Sequence, residues 1–377
     1  MSLKPAIRRT VAAVGHAGRE LMVWSRLIEL RALRRRPTVV FLQGDEMAGR
    51  LRAGEVAEAM RADGWAAIVV PPQLSLSQRR RLLRAAAPAV TVLQQCRHPL
   101  NDPALIDVPT LTVLDIDDAD WIDPANLERL ERVTASVDLV VAGSRNVAQW
   151  CRTHQDDVEV VWTTAELPAL PTRHEVNRPP VIAWASSGAN ELAAERRFVL
   201  RVLTTVAAAE PFELWVYGVR DEAEVLADLA PLTSAGIRIT CHPTMAYPSF
   251  LRSLSAADIG LNPLCHDENP YSLGKSFGKV LAYIGAGLAV VTTPTVDHPL
   301  FFEDGRNGVM ASGEEAWAEA LTGLLRDPQR IRAMADAARA DYVGRLDPAT
   351  ASRLLREIFE RRLAAEPETA ESSRGSR

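Results

Sequence analysis

Short apolar runs alternate with helical patterns along most of the chain from Pro37 onward. The runs are rich in Val, Ile and Leu and end in polar or turn-forming residues, which is typical of buried strands. In the first half they are TVVFLQ (38–43), AAIVVPP (66–72), AVTVLQ (89–94), TLTVLDIDD (110–118), VDLVVAGS (137–144) and DVEVVWTT (157–164). Helical patterns lie between them at 53–65, 77–87 and 146–154. Apolar strands separated by helices predict a parallel sheet covered on both faces.

A proline-rich segment with little periodic pattern, residues 165–180, separates this half from a second half of the same kind. Four prolines make it the best candidate for a linker. Strand patterns follow at 181–186, 212–218, 236–240, 257–264 and 288–294, and helical patterns at 191–209, 313–327, 328–346 and 350–365. We therefore predict two Rossmann-like α/β domains, residues 37–170 and 181–346, with a linker at 171–180 and a disordered polar tail at 366–377.

Length and composition agree with this division. The 377 residues are too many for one ordinary domain, and 47% hydrophobic and 24% charged residues are typical of a soluble globular protein. A net charge of -5 argues against a nucleic-acid partner. The four cysteines are scattered and form no CxxC pair, which favours reduced thiols in a cytoplasmic protein.

The first 36 residues are strongly basic, with nine Lys or Arg and two Glu. Their net charge of +7 leaves -12 for the remainder of the chain. The stretch RELMVWSRLIELRALRRR (19–36) reads as an amphipathic helix. Such a helix either lies on an anionic membrane surface or packs on the body of the protein with its basic face in water, and the sequence leaves both interpretations open.

Two lysines stand four residues apart where a helix is predicted to begin, in NPYSLGKSFGKVLAYIGAGLAVV (269–291). Positive charge at a helix start opposes the helix dipole. If the helix starts at Gly274–Ser276, Lys275 and Lys279 share one face, and two ammonium groups converge with free amides. That arrangement suits a diphosphate and its stabilisation as a leaving group. The alternative is a pair of solvated surface lysines.

A second candidate for anion binding is WASSGANE (184–191), where a strand ends, a Ser-Ser-Gly turn follows and a helix begins. The amides of Ser186, Ser187 and Gly188 can hold a phosphate at that helix start. Any strand-to-helix turn can also contain Ser and Gly without binding a ligand. The run HDE (266–268) is not predicted to bind a metal, because three adjacent residues cannot readily converge on one ion.

The residues 257–309 resemble the donor site of GT-B glycosyltransferases, in particular the family-4-like enzymes that use nucleotide sugars. The resemblance is carried by Ala257-Asp258, Lys275-Ser276 with Lys279, the helix end at Gly287, the strand 288–291, and Asp304-Gly305 with Gly308. It covers residues 38–345 in layout and is fainter in the N-terminal half, at VLDIDDADW (113–121) and SVDLVVAGSRNVAQWC (136–151).

The resemblance implies two Rossmann-like domains with parallel sheets facing across a cleft, and a last helix (350–365) that returns to the N-terminal domain. It also implies that the C-terminal domain holds the donor diphosphate through Lys275, Ser276, Lys279, Ser187 and Gly188. No metal or other cofactor is implied, and the nucleotide sugar is the substrate. The sequence departs from the family at Ala282, where a glutamate that grips the donor ribose usually stands. Asp267 and Glu268 lie just upstream and are possible substitutes.

In the N-terminal domain the same resemblance places the loop after the first strand beside the acceptor. Asp45 or Glu46 then orients hydroxyl groups or acts as a base, and His98 faces the cleft. The alternatives are a solvated loop and a structural histidine. Asp115, Asp117 and Asp118 either shape the acceptor side or cap turns, since Asp favours both roles. Arg196 and Arg197 lie where related enzymes place a phosphate-binding cation, and a surface role fits them as well.

The leading hypothesis is a metal-independent glycosyltransferase of the retaining type that moves a hexose from a nucleotide sugar to an acceptor. A glycan or lipid-linked acceptor, such as a surface-polysaccharide precursor, suits the basic segment 1–36, and the location is then the cytoplasm, at the inner face of the membrane. The rival is an inactive GT-B protein or partner subunit, for which Ala282 is the best argument. A sugar-nucleotide epimerase would need more acid and base residues than the sequence offers.

Overall fold

In the computed structural model of the protein, the described residues are 18–25, 27–28, 38–45, 47–169, 175–186 and 188–372, with side chains to residue 364. The chain divides into two compact units. Unit 1 comprises Met1–Thr164 and Pro348–Arg377, and unit 2 comprises Ala165–Asp347. Residues 170–174 of the predicted linker, residues 373–377 of the predicted tail and most of the basic segment lie outside the described residues.

Unit 1 contains a six-stranded parallel sheet in the order β2-β1-β3-β4-β5-β6. The predicted strands are all present, with slightly shorter bounds. They are β1 (Thr38–Leu42), β2 (Ala66–Val70), β3 (Val90–Gln94), β4 (Leu111–Ile116), β5 (Leu139–Ala142) and β6 (Val158–Val160). Both faces are buried, which is why the strands read as continuous apolar runs.

The helices of unit 1 cover the two faces of this sheet. They are α1 (residues 18–25 and 27–28), α2 (Met47–Gly49), α3 (Val56–Ala62), α4 (Leu76–Ala86), α5 (Pro124–Ser136) and α6 (Arg145–Cys151). A π-helical segment, Arg50–Glu55, joins α2 to α3. Ser75 and Gln78 form a capping box at the start of α4, and Asp123 caps α5. These capping side chains satisfy amides that have no partner inside the helix.

Unit 2 contains a second six-stranded parallel sheet, in the order β12-β11-β10-β7-β8-β9. Its strands are β7 (Val181–Ala185), β8 (Glu213–Val219), β9 (Arg238–Pro243), β10 (Ile259–Asn262), β11 (Ala289–Thr292) and β12 (Val309–Met310). The two-residue strand β12 was not predicted, because so short a pairing leaves no periodic pattern in the sequence. With this sheet the predicted α/β class is confirmed for both units.

The described residues of unit 2 form seven α-helices. They are α7 (Ala193–Ala207), α8 (Glu222–Asp228), α9 (Ala230–Ser234), α10 (Tyr247–Leu254), α11 (Gly278–Ala286), α12 (Gly313–Leu325) and α13 (Pro328–Tyr342). The helix α11 ends as predicted at Gly287, whose φ of 81° is easily adopted by glycine. The helix α11 is buried along almost its whole length.

The last helix, α14 (Pro348–Ser372), belongs to unit 1 and packs against α3. Ala351, Leu355, Ile358 and Phe359 enter the core on the face of the sheet opposite α1. The helix runs past the predicted end at residue 365 and reaches Ser372. Among the described residues no helix has the length and hydropathy needed to cross a membrane.

Candidate functional site

The start of α11 differs from the prediction. Residues Pro270–Gly274 form a 3₁₀ turn, Lys275 is extended with φ -68° and ψ 135°, and α11 begins only at Gly278. Lys275 and Lys279 therefore do not share a helix face, because Lys275 precedes the helix. Pro, Gly and Ser are poor helix formers, which explains the late start. The cap residue Phe277 contributes no side-chain hydrogen bond to the first amides of α11.

The two ammonium groups nevertheless interact. The charge of Lys275, together with burial as the larger cause, lowers the pKa of Lys279 to about 8. Lys279 is half-buried in the first turn of α11. The ammonium of Lys275 lies 4.7 Å from the centre of the Tyr271 ring, a cation–π distance. An anion placed here would relieve both the repulsion and the unfavourable helix dipole.

Ser276 lies between the lysines and is only 7% exposed. Its hydroxyl oxygen is buried and makes no hydrogen bond to any described residue. Its carbonyl accepts a hydrogen bond of 2.8 Å from Nε2 of His298, a buried imidazole whose pKa is lowered by burial. The backbone of Ser276 is thus fixed while its hydroxyl group is left for another partner, which is uncommon for a buried polar group.

Sequence reasoning missed Glu195, the carboxylate that interacts with the lysines. It lies on α7, is 3% exposed, and accepts a hydrogen bond of 2.8 Å from Asn269 Nδ2. Its charge acts to raise the pKa of Lys279, against the effects of burial and Lys275. This carboxylate offsets part of the unfavourable environment of the Lys279 ammonium. Helix periodicity alone does not indicate this role, because Glu195 lies in the first turn of α7, where Glu is common.

Lysine usage was a second missed indication. The chain has 43 Lys and Arg residues, and only Lys4, Lys275 and Lys279 are lysine. In a chain that uses arginine almost everywhere else, two lysines four residues apart are a specific choice. A compact ammonium fits a half-buried position that a planar guanidinium would not fit in the same way.

The turn after β7 is less suited to phosphate than predicted. The amide of Gly188 donates to Ser186 Oγ at 3.0 Å and is therefore already engaged. A Cβ at Gly188 would lie 2.4 Å from the Glu191 carboxylate, which itself pairs with Arg220. An acidic side chain thus occupies the space beside this turn. Ser187 lies outside the described residues, and the phosphate role of both residues stays a prediction.

The neighbouring cations are engaged in structural contacts. Arg196 is 4% exposed and donates to Asp228, Glu224 and the carbonyls of Ala189 and Asn190. It therefore holds the start of α7 to α8. Arg197 is exposed and pairs with Glu268 at 2.5 Å, which engages one of the two carboxylates considered as substitutes for the expected glutamate.

Ala282 lies one turn after Lys279 on α11 and is 5% exposed.

The HDE run is not arranged for metal, since His266 Nδ1 lies 2.8 Å from Ser272 Oγ and both acidic residues of the run are exposed. Among the described residues, no three His, Cys, Asp or Glu side chains group in a way that could hold a metal ion.

The motif Ala257-Asp258 serves the fold. Asp258 lies at the amino end of β10, away from the edge where the carboxyl ends of the strands meet. Its carboxylate accepts from Val181 N at 2.7 Å and from Asn177, so it anchors the start of β7. Asp304 likewise accepts from Met310 N at 2.9 Å within the turn that leads to β12.

The carboxyl edge of the sheet in unit 1 carries a buried ion pair. Arg52, in the π-helical segment, donates two hydrogen bonds to Asp115 at 2.7 and 2.8 Å. It also donates to the Val161 carbonyl and to Thr163 Oγ1, both at 3.1 Å. Burial is the largest single cause and acts to lower the pKa of Arg52. The surrounding carboxylates, Asp115 first, together outweigh it, so the pKa is raised. Asp115 is therefore a structural partner of Arg52 and not a turn cap.

Asp117 follows β4 directly and is half-buried. Burial is the main cause that raises its pKa to about 6, and the nearby charge of Asp118 adds to it. Its Oδ1 accepts from Gln95 Nε2 at 2.8 Å. A carboxyl group with this pKa can exchange a proton near neutral pH. Gly143 leaves room for the side chain of Asp117, since a Cβ at Gly143 would lie 2.6 Å from Cβ of Asp117.

Arg97 connects the remaining acidic residues of this edge. It lies 3.3 Å from both Asp118 and Asp120 and 3.8 Å from Asp45. Asp45 also accepts from Ala48 N at 2.7 Å, as a cap of α2. The structure thus groups Asp45 with Asp118 through a cation that sequence reasoning did not single out. Glu46 lies outside the described residues.

His98 is held within its own turn. Its Nδ1 accepts from Leu100 N at 3.2 Å, and burial is the first cause that lowers its pKa. The contact favours the structural interpretation of His98.

Gln94, at the end of β3, is fully buried and accepts a hydrogen bond from Gly44 N at 2.9 Å. Its Nε2 finds no acceptor among the described residues.

Comparison with known proteins agrees with this architecture. Residues 196–355 match a family model described as glycosyl transferase-like. The structure is similar to sucrose-phosphate synthase from Thermosynechococcus elongatus, with a TM-score of 0.65 and 13% identity over 88% of this chain and 100% of that one. The chain has the GT-B fold.

Other GT-B structures match over a similar extent. Anabaena HepE, solved with UDP and glucose, has a TM-score of 0.61 and 15% identity, covering 86% of this chain and 100% of that chain. A glycosyltransferase from Rickettsia africae has a TM-score of 0.62 and 11% identity, covering 86% and 98%. A comparison with curated protein sequences finds no match. The predicted resemblance to GT-B glycosyltransferases is thus confirmed.

Proposed function

We propose that this GT-B protein is a glycosyltransferase that takes a sugar from a nucleoside-diphosphate sugar bound by unit 2. The observation that carries the proposal is the start of α11. There two lysine ammonium groups, a helix start whose cap residue supplies no side-chain hydrogen bond, and a buried hydroxyl that bonds to no described residue follow one another along the chain. A diphosphate supplies the negative charge and the acceptor oxygens that these groups require. HepE was solved with UDP and with UDP-glucose, which supports a nucleotide of this class.

In this proposal the lysines also act on the reaction. When the glycosidic bond to the diphosphate breaks, negative charge grows on the leaving oxygen. Fixed cations and amides stabilise that charge with little reorganisation. No metal is needed for the step, because Lys275 and Lys279 supply the positive charge. The acidic edge of unit 1, with Asp117 near a pKa of 6, offers groups that orient the hydroxyl of an acceptor.

We further propose a lipid-linked or other membrane-proximal acceptor and a cytoplasmic location at the inner membrane face. The support is the net charge of +7 over residues 1–36 and the four cysteines, which are all free thiols. The alternative is an inactive GT-B protein that binds a nucleotide without transferring sugar. Ala282, which has no carboxylate to accept a ribose hydroxyl, favours that alternative.

Calorimetry with UDP, GDP and ADP tests the donor site first. We expect at least one nucleotide to bind the wild-type protein, and the variant Arg353→Met, which removes an exposed cation of unit 1, to bind it equally well. Hydrolysis or transfer of the matching nucleotide sugar then distinguishes an enzyme from an inactive binder. Folded protein that binds none of the three nucleotides would overturn the proposal.

The small number of lysines allows a second test on the unmodified chain. Because its pKa of about 8 leaves Lys279 partly neutral near pH 7.5, it should react early with an amine-directed reagent. Peptide mass spectrometry can follow Lys4, Lys275 and Lys279 separately. The bound nucleotide should protect Lys275 and Lys279 and leave Lys4 unprotected. Equal labelling of all three with and without nucleotide would contradict the assignment.

A further inference from the structure

The helix α1 has two apolar faces. Val23 and Leu27 are 7% and 3% exposed and belong to the core of unit 1. On the other side Leu21, Met22 and Ile28 are 69%, 65% and 65% exposed. Among the described residues, the only other large apolar side chain exposed to this extent is Val343. Three such side chains on one short helix form an exposed apolar face within the part of the chain that the structure describes.

The orientation of α1 is fixed by polar contacts on its inner side. Glu20 accepts hydrogen bonds from Arg81 at 2.9 Å, from Trp24 Nε1 at 3.3 Å and from Gln78. The hydrogen bond from Gln78 is the largest cause that lowers the pKa of Glu20. Arg81 and Gln78 belong to α4, so the helix is attached to unit 1 by a charged group as well as by its core residues. Its outer face is therefore held outward.

A groove of about 510 Å³ lies between α1 and the edge strand β2. Its apolar wall includes Met22, Val23, Ile68 and Pro71. Arg19 and Arg61 contribute charged groups, and none of the described residues that line the groove is acidic. Arg61 pairs with Glu58 and donates to the Ala67 carbonyl at 2.9 Å. Met22 belongs both to the lining and to the exposed face of α1, so the groove opens beside that face.

The groove also reaches the carboxyl edge of the sheet. Its lining includes Gln43, which follows β1, and Pro72 and Gln73, which follow β2. Asp45 stands two residues after Gln43 on the same loop. A molecule that lies in the groove therefore extends from the exposed apolar face of α1 to the edge that carries the acidic groups of unit 1.

We propose that this groove binds the hydrocarbon chain of a lipid with an anionic head group, taken from a membrane surface that Leu21, Met22 and Ile28 enter. Apolar walls suit the chain, and the groove is within the size range of small-molecule sites. The charge of +7 over residues 1–36 complements an anionic surface, to which apolar side chains on a helix add burial. The inference rests on the proposed function, because it assigns the acceptor class of the same enzyme.

Gly54 makes the groove testable. It lines the groove from the π-helical segment, and a Cβ placed on it meets only the Gly49 carbonyl, at 3.6 Å. Gly54→Ala should therefore leave the groove open, whereas Gly54→Leu should place its side chain inside it. The half-buried Val69 on β2, changed to Phe, is a second blocking variant should the leucine disturb folding.

The binding probe is lysophosphatidic acid below its critical micelle concentration, measured by calorimetry on the full chain. We expect wild type and Gly54→Ala to bind it, and Gly54→Leu or Val69→Phe to bind about tenfold more weakly or worse. UDP, GDP or ADP affinity, measured on the same samples, should not change. No binding by wild type, or equal binding by the blocked variants, would overturn the groove assignment.

Vesicle cosedimentation tests the membrane part separately. Vesicles of phosphatidylglycerol and phosphatidylcholine should retain wild type and Val343→Ser, a control at an exposed apolar position of unit 2. Leu21→Ser with Ile28→Ser should reduce retention and leave binding of the soluble lipid unchanged. Retention without binding of the soluble lipid means surface attachment only and overturns the proposal. If nucleotide binding persists while lipid binding is absent, the groove assignment fails and the donor site stands.

Discussion

The two units have the same kind of sheet and opposite electrostatics at the edges where ligands are expected. In unit 1 a buried ion pair lies at this edge. Arg52 is paired with Asp115, and the surrounding carboxylates raise its pKa. In unit 2 the charges are unbalanced, and repulsion from Lys275 helps to lower the pKa of Lys279. At the first edge Arg52 and Asp115 are paired within the protein, whereas at the second edge we propose that an anion offsets the charges of Lys275 and Lys279.

This difference fits a division of labour between donor and acceptor. A diphosphate donor needs fixed positive charge, and a hydroxyl acceptor needs hydrogen-bond partners and a group that can exchange a proton. The backbone of a parallel sheet supplies neither charge pattern by itself. In the proposed function, the two units therefore differ through the side chains at their strand ends.

The largest expected effect is the loss of nucleotide affinity when both lysines of unit 2 are removed. We expect Lys275→Met with Lys279→Met to weaken binding of the preferred nucleoside diphosphate by about 100-fold or more, since each charged hydrogen bond contributes about 1.5–3 kcal/mol. Calorimetry measures the affinity, with Arg353→Met as the matched control for loss of one cation. Unchanged affinity in the double variant would show that the lysines are surface residues.

The pH dependence of binding should be the next largest effect. Lys279 has a pKa of about 8 without ligand, and an anion raises it, so binding takes up protons near pH 8 and weakens as the pH rises further. We expect a fall in affinity of about tenfold between pH 7 and pH 9. Starting at pH 7 avoids titration of the phosphate itself, which has a second pKa near 6.

Calorimetry in buffers of different ionisation enthalpy measures the proton uptake directly. Lys279→Met is the control, because it should abolish both the uptake and the fall in affinity. A flat profile in wild type would mean that the ammonium of Lys279 does not contact the ligand.

In unit 1, removal of the charge of Asp117 should stabilise the protein. The folded pKa of Asp117, about 6, lies above its ordinary value of 3.8, so ionisation disfavours the folded state, and stability falls as the pH rises through that interval. Asp117→Asn should raise the free energy of unfolding at pH 7.5 by an amount on the order of 1 kcal/mol, and by little near pH 4.

Thermal denaturation at the two pH values checks this prediction. Asp267→Asn, at an exposed position of unit 2, is the control and should leave the melting temperature unchanged at both pH values. Lower stability of Asp117→Asn at pH 7.5 would mean that the carboxylate is compensated in the folded protein, as Asp115 is.

The smallest effect should come from the hydroxyl of Ser276. The buried Oγ makes no hydrogen bond to any described residue, so Ser276→Ala should leave the melting temperature unchanged or raise it slightly. If the hydroxyl group binds the nucleotide, the affinity should fall by roughly two- to tenfold, the range of a single net hydrogen bond. A loss of stability without a loss of affinity would assign the hydroxyl to the fold.

Strands were easier to predict than helix starts, for a physical reason. A strand buried on both faces is apolar at every position, as in AVVT of β11, and this composition survives in any context. The start of α11 depends on local competition among Pro270, Gly274 and Ser276, which favour turns. The prediction therefore placed Lys275 in the helix, whereas the chain holds it extended just before the helix.

Site residues on different elements were the hardest to predict. Glu195 and Lys279 are 84 positions apart in the sequence, and Arg52 and Asp115 are 63 apart. Such contacts follow from strand order and helix packing, which periodicity does not encode. Arg196 illustrates the converse, since a cation in a plausible position for phosphate is fully engaged by Glu224, Asp228 and two carbonyls.

The sequence by itself determined the α/β class, the presence of two sheets, the helix end at Gly287 and the candidacy of the two lysines. These depend on local composition and on the left-handed backbone that glycine permits. Only the tertiary structure decided which charges are compensated. Whether a cation is paired depends on the side chains that folding brings to it, and burial then determines how strongly an unpaired charge requires a ligand.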